Sequence, residues 1–266
     1  LAGSAERSTT GEDIGYRSNQ GVYQVGTQRR IAPEWFFGGS MNYAHTDTRS
    51  SDRSVAASSD GVQGGLTLKR QAGDWLFAGA LLAGYERSTQ TRSVVLPGFF
   101  ATASAKPDAY FVGGRARVAH QFEFEAGYLK PFVDLDVTHD HGSAYRETGA
   151  GPFDLAYRAT GRTTWMATPS IEVGGRIDLD AATLRPYASF GVSSVMQGNA
   201  RASVSLAAFS MQPFQITTEM PRTYGDLTAG LELMNRSGWE FRAEYRVRGA
   251  RGYVEQSGML RLARHF

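Results

Sequence analysis

Residues 239–249, WEFRAEYRVRG, alternate between apolar and charged side chains. Trp239, Phe241, Ala243, Tyr245 and Val247 share one parity, and the residues between them are glutamate or arginine. A period of two is that of a β-strand with one apolar and one charged face. A soluble protein would bury the apolar face, so the fold depends on which face meets solvent.

The same alternation recurs along the whole chain. The segments that show it lie at 22–31, 34–46, 61–70, 75–88, 109–122, 129–140, 165–179, 184–196, 224–235, 239–249 and 255–266. A tilted strand of about ten residues crosses the hydrocarbon core of a bilayer. These lengths favour transmembrane strands over the strands of a soluble sandwich or lipocalin-like barrel, which are usually shorter.

The connections between these segments alternate in length. Short connections are expected at 32–34, 71–74, 123–128, 180–183 and 236–238, and long polar ones at 47–60, 89–108, 141–164 and 197–223. Barrels of the bacterial outer membrane combine short periplasmic turns with long extracellular loops. The sequence therefore predicts an all-β fold, a transmembrane antiparallel up-and-down β-barrel.

The number of strands follows from a parity argument. Eleven segments are visible, but bacterial single-chain barrels contain an even number of strands. If the chain ends in the periplasm, an outward strand must precede 22–31, and it can come only from about residues 1–10, with a loop near 11–20. We expect twelve strands in one domain spanning 1–266, with a helix at the N-terminus as the alternative for the first.

Composition excludes several other classes. The chain has 266 residues, a formal net charge of +2 and no cysteine. Without a lysine or arginine run, no nucleic-acid partner is expected, and no disulfide or thiol chemistry is available. The longest apolar stretch, 75–84, is too short for a transmembrane helix, and no signal peptide is visible in 1–13.

Aromatic residues near the strand ends, among them Trp35, Tyr43, Trp75 and Trp239, are typical of interfacial girdles. The apolar face is therefore predicted to meet lipid and the charged face to line a narrow polar lumen. The candidate lumen-facing charges are Arg115, Arg117, Asp134, Asp136, Glu172, Arg176, Arg185, Glu232, Glu240, Arg242, Glu244 and Arg246. Most are expected to pair across strands and stiffen the wall, and guidance of a transported chain or ions is the alternative role.

Four stretches carry a family resemblance: LLAGYERS (81–88), LRPYASFGV (184–192), GWEFRAEYRVRG (238–249) and a last strand that ends in Phe266. With them the chain resembles the β-domain of classical monomeric autotransporters of the pertactin-like kind, which belong to type V secretion. The resemblance implies an outer-membrane translocator that exports an N-terminal passenger to the cell surface, without cofactors. It also implies a pore helix, so the helix and the passenger are expected upstream of Leu1.

The resemblance further implies partners. These are the passenger itself, outer-membrane lipid and lipopolysaccharide, periplasmic chaperones, and a barrel-assembly machinery that reads the last strand of a monomeric barrel. Leu260, Leu262 and Phe266 fit that assembly signal. Arg264 departs from it, because an aromatic or apolar residue is usual at that position.

Two other functions remain open from the sequence. A stand-alone porin would need the same barrel and lumen, and an upstream passenger or the conductance would distinguish it. A barrel enzyme could use His139, Asp140 and His141, with His45 and Asp47 nearby. Strand parity directs His139 and His141 away from the lumen, so a polar rim without catalytic residues is expected. No metal site is expected, because the spacing fixes no third ligand.

Overall fold

Twelve strands form the barrel in a computed structural model that describes residues 1–9, 14–125, 127–196 and 200–265. The strands are β1 (Ala2–Arg7), β2 (Tyr16–Ala32), β3 (Trp35–Ser50), β4 (Val55–Ala72), β5 (Trp75–Leu96), β6 (Asp108–His120), β7 (Gly127–Gly142), β8 (Thr160–Gly174), β9 (Ala182–Val195), β10 (Thr223–Asn235), β11 (Trp239–Ala250) and β12 (Tyr253–Arg264). Each pairs antiparallel with the next, and β12 pairs with β1. The sheet is therefore closed, which confirms the up-and-down barrel.

The first strand is the element that the parity argument required. β1 lies between β12 and β2, with Ala2 opposite Gly258 on one side and Gly21 on the other. The predicted count of twelve is confirmed, and the helix suggested as an alternative for this segment is wrong for Ala2–Arg7.

Register keeps the two faces separate along each pair of strands. Leu231 of β10 lies opposite Ala243 of β11, and the next pair is Glu232 with Arg242. Because successive side chains point to opposite faces, a slip of one residue would put charges among the apolar side chains. The alternation of the sequence thus excludes a slip of one residue.

Tight connections occupy one end of the barrel, here called the turn end. Gly73 and Gly238 have positive φ values of 58° and 82°, a conformation that costs glycine little. The Asn235 Oδ1 accepts hydrogen bonds from the backbone N–H groups of Ser237 and Trp239. These features let the chain reverse direction over the short connections that the sequence predicts.

The opposite end, here called the loop end, carries additional short strands. Phe99–Ala105 pairs with the end of β5, and Tyr145–Arg146, Leu155–Tyr157, Ala200–Leu206 and Phe209–Thr218 form a separate four-stranded sheet.

The remaining elements are Phe122–Phe124, Ile177–Asp178 and a 3₁₀ turn at Gly151–Phe153. Within the described ranges, no helix is long and apolar enough to cross a membrane.

The buried apolar cluster lies at the loop end and not inside the barrel. It consists of Val94, Ala103 and Ala150, against which Phe99 and Phe153 pack. Val94 lies near the end of β5, and the other residues come from the β5–β6 and β7–β8 connections. These two connections are also joined by backbone hydrogen bonds between Ser104 and Thr148. The loops therefore pack on one another.

Candidate functional site

The outer face of the barrel is apolar at mid-height. Leu66, Val173 and Leu231 point outward and are 54, 52 and 50% exposed. Exposure of so many large apolar side chains is what a lipid-facing surface requires, whereas a soluble protein rarely shows a contiguous patch of this kind. The charged face consequently lines the lumen.

A row of tyrosines marks the upper border of this apolar face. Tyr23, Tyr43, Tyr85 and Tyr110 occupy one register row on β2, β3, β5 and β6, with Val62 of β4 between them. Toward the turn end, outward-facing aromatic residues recur at Phe37, Trp75, Phe77, Trp239 and Phe241. The two aromatic bands occupy the levels expected for interfacial girdles.

Two ion pairs join β6 and β7 on the lumen face. Arg117 lies directly opposite Asp134 and donates from Nε and Nη2 to the two carboxylate oxygens, both at 2.6 Å. Arg115 faces Asp136, with 2.5 Å between Nε and Oδ1. The fork of a guanidinium matches a carboxylate in this geometry, so the wall contributes little unpaired charge here.

The pairing continues from β7 to β8. Glu172 forms an ion pair with Lys130, which is its register partner, and accepts a 2.8 Å hydrogen bond from the Tyr128 hydroxyl. The Tyr128 ring lies over Gly174, where an added Cβ would be 2.4 Å from the ring. Glycine is therefore required beneath this tyrosine.

A third group spans β9, β10 and β11. Glu232 forms an ion pair with Arg242 at 2.5 Å and a second, longer one with Arg185 at 3.6 Å. Glu244 accepts a 2.7 Å hydrogen bond from the Tyr187 hydroxyl, and the Tyr187 ring lies over Gly230. The arrangement repeats that of Tyr128, Glu172 and Gly174, one aromatic ring held by a carboxylate above a glycine.

The remaining predicted charges lie near the ends of strands or between these groups. Arg246 is 4.0 Å from Glu244 and donates to Thr228 at 3.3 Å. Glu240 is paired with His265 at 2.8 Å and with Arg261 at 3.8 Å. Arg176 lies just past the end of β8, where it binds Asp178 at 2.9 Å.

The ion-paired residues on the lumen face of β6 to β11 are here called the charged wall. The list of candidate lumen-facing charges omits three of its members, although Asp226 and Arg248 share the charged parity in the sequence. Lys130 shares the parity of Asp134 and Asp136, which was the available signal. Asp226 accepts hydrogen bonds from Arg248 at 2.8 Å and from Ser193 at 2.6 Å. Arg248 continues the series Glu240, Arg242, Glu244 and Arg246 at a spacing of two.

The rim histidines are engaged in local contacts. His139 shares a 2.9 Å hydrogen bond with Thr163, and the His141 ring stacks on Tyr110 at 4.7 Å. His45 is 2.9 Å from Asp60 and 3.5 Å from Asp47. All three point outward near the upper aromatic band, where polar side chains face lipid headgroups.

The proposed assembly signal lies on the lipid face of β12. Leu260 and Leu262 are 72 and 68% exposed. Phe266 lies outside the described residues. The Arg264 guanidinium stacks over the Trp239 ring, 5.5 Å from its centroid, so the unusual residue of the last strand is accommodated at the aromatic band.

Comparison with known proteins gives the family. A model of the autotransporter β-domain family matches residues 1–246. The fold is similar to the translocator domain of autotransporter NalP from Neisseria meningitidis, with a TM-score of 0.79 and 16% identity over 100% of this chain and 87% of that one. No curated protein sequence matches the chain.

Two further solved structures share the fold. The transport unit of autotransporter AIDA-I from Escherichia coli gives a TM-score of 0.68 and 13% identity, over 100% of this chain and 88% of that one. The β domain of the Bordetella autotransporter BrkA gives 0.66 and 14%, over 98% and 97%. The chain belongs to the autotransporter β-domain family: it is an integral outer-membrane translocator that exports its passenger, a transport domain and not an enzyme.

Proposed function

We propose that the charged wall stabilises an open lumen through which a passenger joined upstream of Leu1 crosses the membrane. The observation that carries this proposal is the series of ion pairs between register neighbours on β6 to β11. Charges that satisfy one another across strands hold the wall in shape and leave little charge to retain a moving chain. Stiffening of the wall, and not guidance of the passenger, is the role assigned to these residues.

The burial of the carboxylates supports a structural role. The side chains of Glu172, Asp226 and Glu232 are each only 12% exposed, although they line a polar lumen. A carboxylate this far removed from water is costly unless a cation and hydrogen bonds compensate it. Each has such a cation, so the pairs secure the wall instead of presenting binding sites.

The proposal also covers assembly and surroundings. The barrel-assembly machinery would read the apolar face of β12 at Leu260 and Leu262 together with Phe266, after delivery by periplasmic chaperones. Residues 1–266 would act as one monomeric domain, with the outer face in contact with lipid and lipopolysaccharide. The continuous apolar face between the two aromatic bands supports direct lipid contact around the barrel.

Surface display of a passenger tests the function. An epitope-tagged passenger is fused upstream of Leu1 in Gram-negative cells, and its digestion by an external protease is measured together with the heat-modifiable mobility of the barrel. The same passenger without the β-domain is the control. We expect digestion only with the barrel, and a passenger that stays in the periplasm beside a folded barrel would contradict the proposal.

A further inference from the structure

The lumen wall formed by β2, β3 and β4 differs from the charged wall. Its lumen-facing residues are uncharged from Ser18 to Gln28 of β2, from Gly38 to Thr48 of β3 and from Ser59 to Thr67 of β4. Arg30 and Lys69, nearer the turn end, are the first charges on this face. In a closed barrel of twelve strands, β3 lies across the lumen from β9, so the uncharged wall faces part of the charged one.

Three carboxamides lie side by side on this wall. Gln24 is the register partner of Asn42, and Asn42 is the register partner of Gln63. Gln24 is exposed to the lumen, and Asn42 and Gln63 are half-buried. None of the three side chains forms a hydrogen bond with another residue in the ranges that the structure describes, in contrast to the side chain of the neighbouring Gln20, which donates to Thr46 at 3.1 Å. We call these residues the carboxamide row.

The surface next to the carboxamide row is nearly free of side chains. Gly26, Ser40 and Gly65 form the adjacent register row toward the turn end. Gly38 faces the lumen one row further, opposite Thr67. Glycine in a strand allows another backbone to approach closely, so a chain in the lumen can come near the wall here.

The side chains of the charged wall leave only a small cavity between them. This polar cavity, lined by Arg117, Asp134, Thr168 and Asp226 among others, has a volume of about 40 Å³. That volume holds water but not a peptide segment. Its arginines and carboxylates are also occupied by one another, as described above.

We propose that the carboxamide row and the glycines beside it bind the main chain of the passenger while it crosses the lumen. A carboxamide supplies both a donor and an acceptor, which matches the N–H and C=O groups of any polypeptide. The absence of charge on this wall makes the contact independent of passenger sequence. The inference rests on the proposed function and adds the place in the lumen at which the passenger is held.

Site-specific crosslinking tests the location. A photoreactive phenylalanine analogue replaces Gln24, Asn42 or Gln63, one at a time, in the full chain with its passenger. The control positions are Arg185 and Arg246 of the charged wall, whose side chains are 46 and 42% exposed in the lumen. Cells are irradiated while newly made passenger is being exported, and barrel–passenger adducts are counted at each position.

We expect adducts at the carboxamide positions at several times the yield of the control positions. Equal yields, or higher yields at Arg185 and Arg246, would overturn the inference. If the passenger still reaches the cell surface in that case, the proposed function is unaffected. A folded barrel with no passenger at the surface would overturn both.

Substitution tests the hydrogen bonds. Replacing Gln24 and Gln63 by methionine and Asn42 by leucine keeps the size of the side chains but removes their donors and acceptors. Loss of one hydrogen bond to the moving chain corresponds to a factor of about five in an equilibrium, so export per folded barrel is expected to change by at least about this factor. The matched control is Thr46→Val with Gln20→Met, which removes polar groups two lumen-facing register rows closer to the loop end. Unchanged export in the carboxamide variant, or an equal change in the control, would count against the inference.

Discussion

Arg117 and Asp134 face each other across β6 and β7 with two parallel hydrogen bonds of 2.6 Å. The carboxylate is 9% exposed and the guanidinium 33% exposed. A pair of this kind stabilises a wall only while both members are present, because either one alone is a poorly hydrated charge. This relationship makes the structural role of the charged wall testable.

The single variant Arg117→Gln should destabilise the barrel, and the double variant Arg117→Gln with Asp134→Asn should recover much of the loss. Removing one member of a fully buried pair costs about 3–5 kcal/mol, and less is expected here because Arg117 is one-third exposed. Urea unfolding of the four proteins of this double-mutant cycle gives the coupling. Additive effects would show that the pair contributes nothing to the wall.

Gly230→Ala should destabilise the barrel through Tyr187. An added Cβ would lie 2.4 Å from Cζ of the Tyr187 ring, so the ring must leave its place and its hydrogen bond to Glu244. Overpacking of this kind costs about 1–3 kcal/mol. The unfolding free energy measures it, and Gly225→Ala, where the added Cβ meets nothing within 4 Å, is the matched control. An equal loss in both variants would mean that loss of glycine itself, and not the ring, is responsible.

Glu147→Ala should open the loops at the loop end and leave the barrel closed. Glu147 is 2% exposed, and it accepts hydrogen bonds from Arg92 Nε at 3.0 Å and from the Leu155 backbone at 2.9 Å. That hydrogen-bonded carboxylate raises the pKa of the Arg92 guanidinium above its usual value. Without it, the Arg92 guanidinium loses its counterion and keeps only the Phe153 carbonyl, and the Leu155 N–H loses its acceptor.

Limited trypsin digestion of whole cells measures this opening. Cleavage at Arg146 or Arg158 should become faster in Glu147→Ala while the heat-modifiable mobility of the barrel is unchanged. Glu86→Ala, which removes a carboxylate of β5 whose Oε1 is 3.4 Å from the Ser88 hydroxyl, is the control. Digestion at the wild-type rate would show that the ion pair does not hold the loops.

Leu262→Asn should slow assembly in cells more than folding in detergent. Leu262 points to lipid and is 68% exposed, so it contributes few contacts within the barrel. An effect confined to cells would identify it as a feature read by the assembly machinery. The comparison variant is Leu227→Asn, an outward leucine of β10 that is 53% exposed. Equal slowing of assembly in both variants would argue against a signal specific to the last strand.

The sequence predicts the barrel because lipid imposes a strict rule on each membrane-crossing strand. Alternation revealed the faces of β10 and β11, and the even strand count placed β1 at residues that show little pattern. The same rule does not extend above the membrane. β5 continues to Leu96 although alternation was followed only to residue 88, and 197–223 contains the paired strands Ala200–Leu206 and Phe209–Thr218.

The candidate site was only partly accessible from sequence. Parity placed Arg117 and Asp134 on one face, but it cannot give register, which decides that these two are partners. The role of Gly230 depends on the Tyr187 ring of another strand. Glu147 is separated by 55 positions from the Arg92 that it binds, and no periodicity connects two loops that pack together.

The assignment of faces is tested most directly by two neighbouring residues of β4. Leu66 points to lipid near mid-membrane, and Thr67 points into the lumen. Leu66→Arg should cost about 2–4 kcal/mol of unfolding free energy in lipid vesicles, whereas Thr67→Arg, which can place its guanidinium in lumen water, should change it little. Equal costs, or a larger cost at Thr67, would contradict a barrel with its apolar face in lipid and its charges inside.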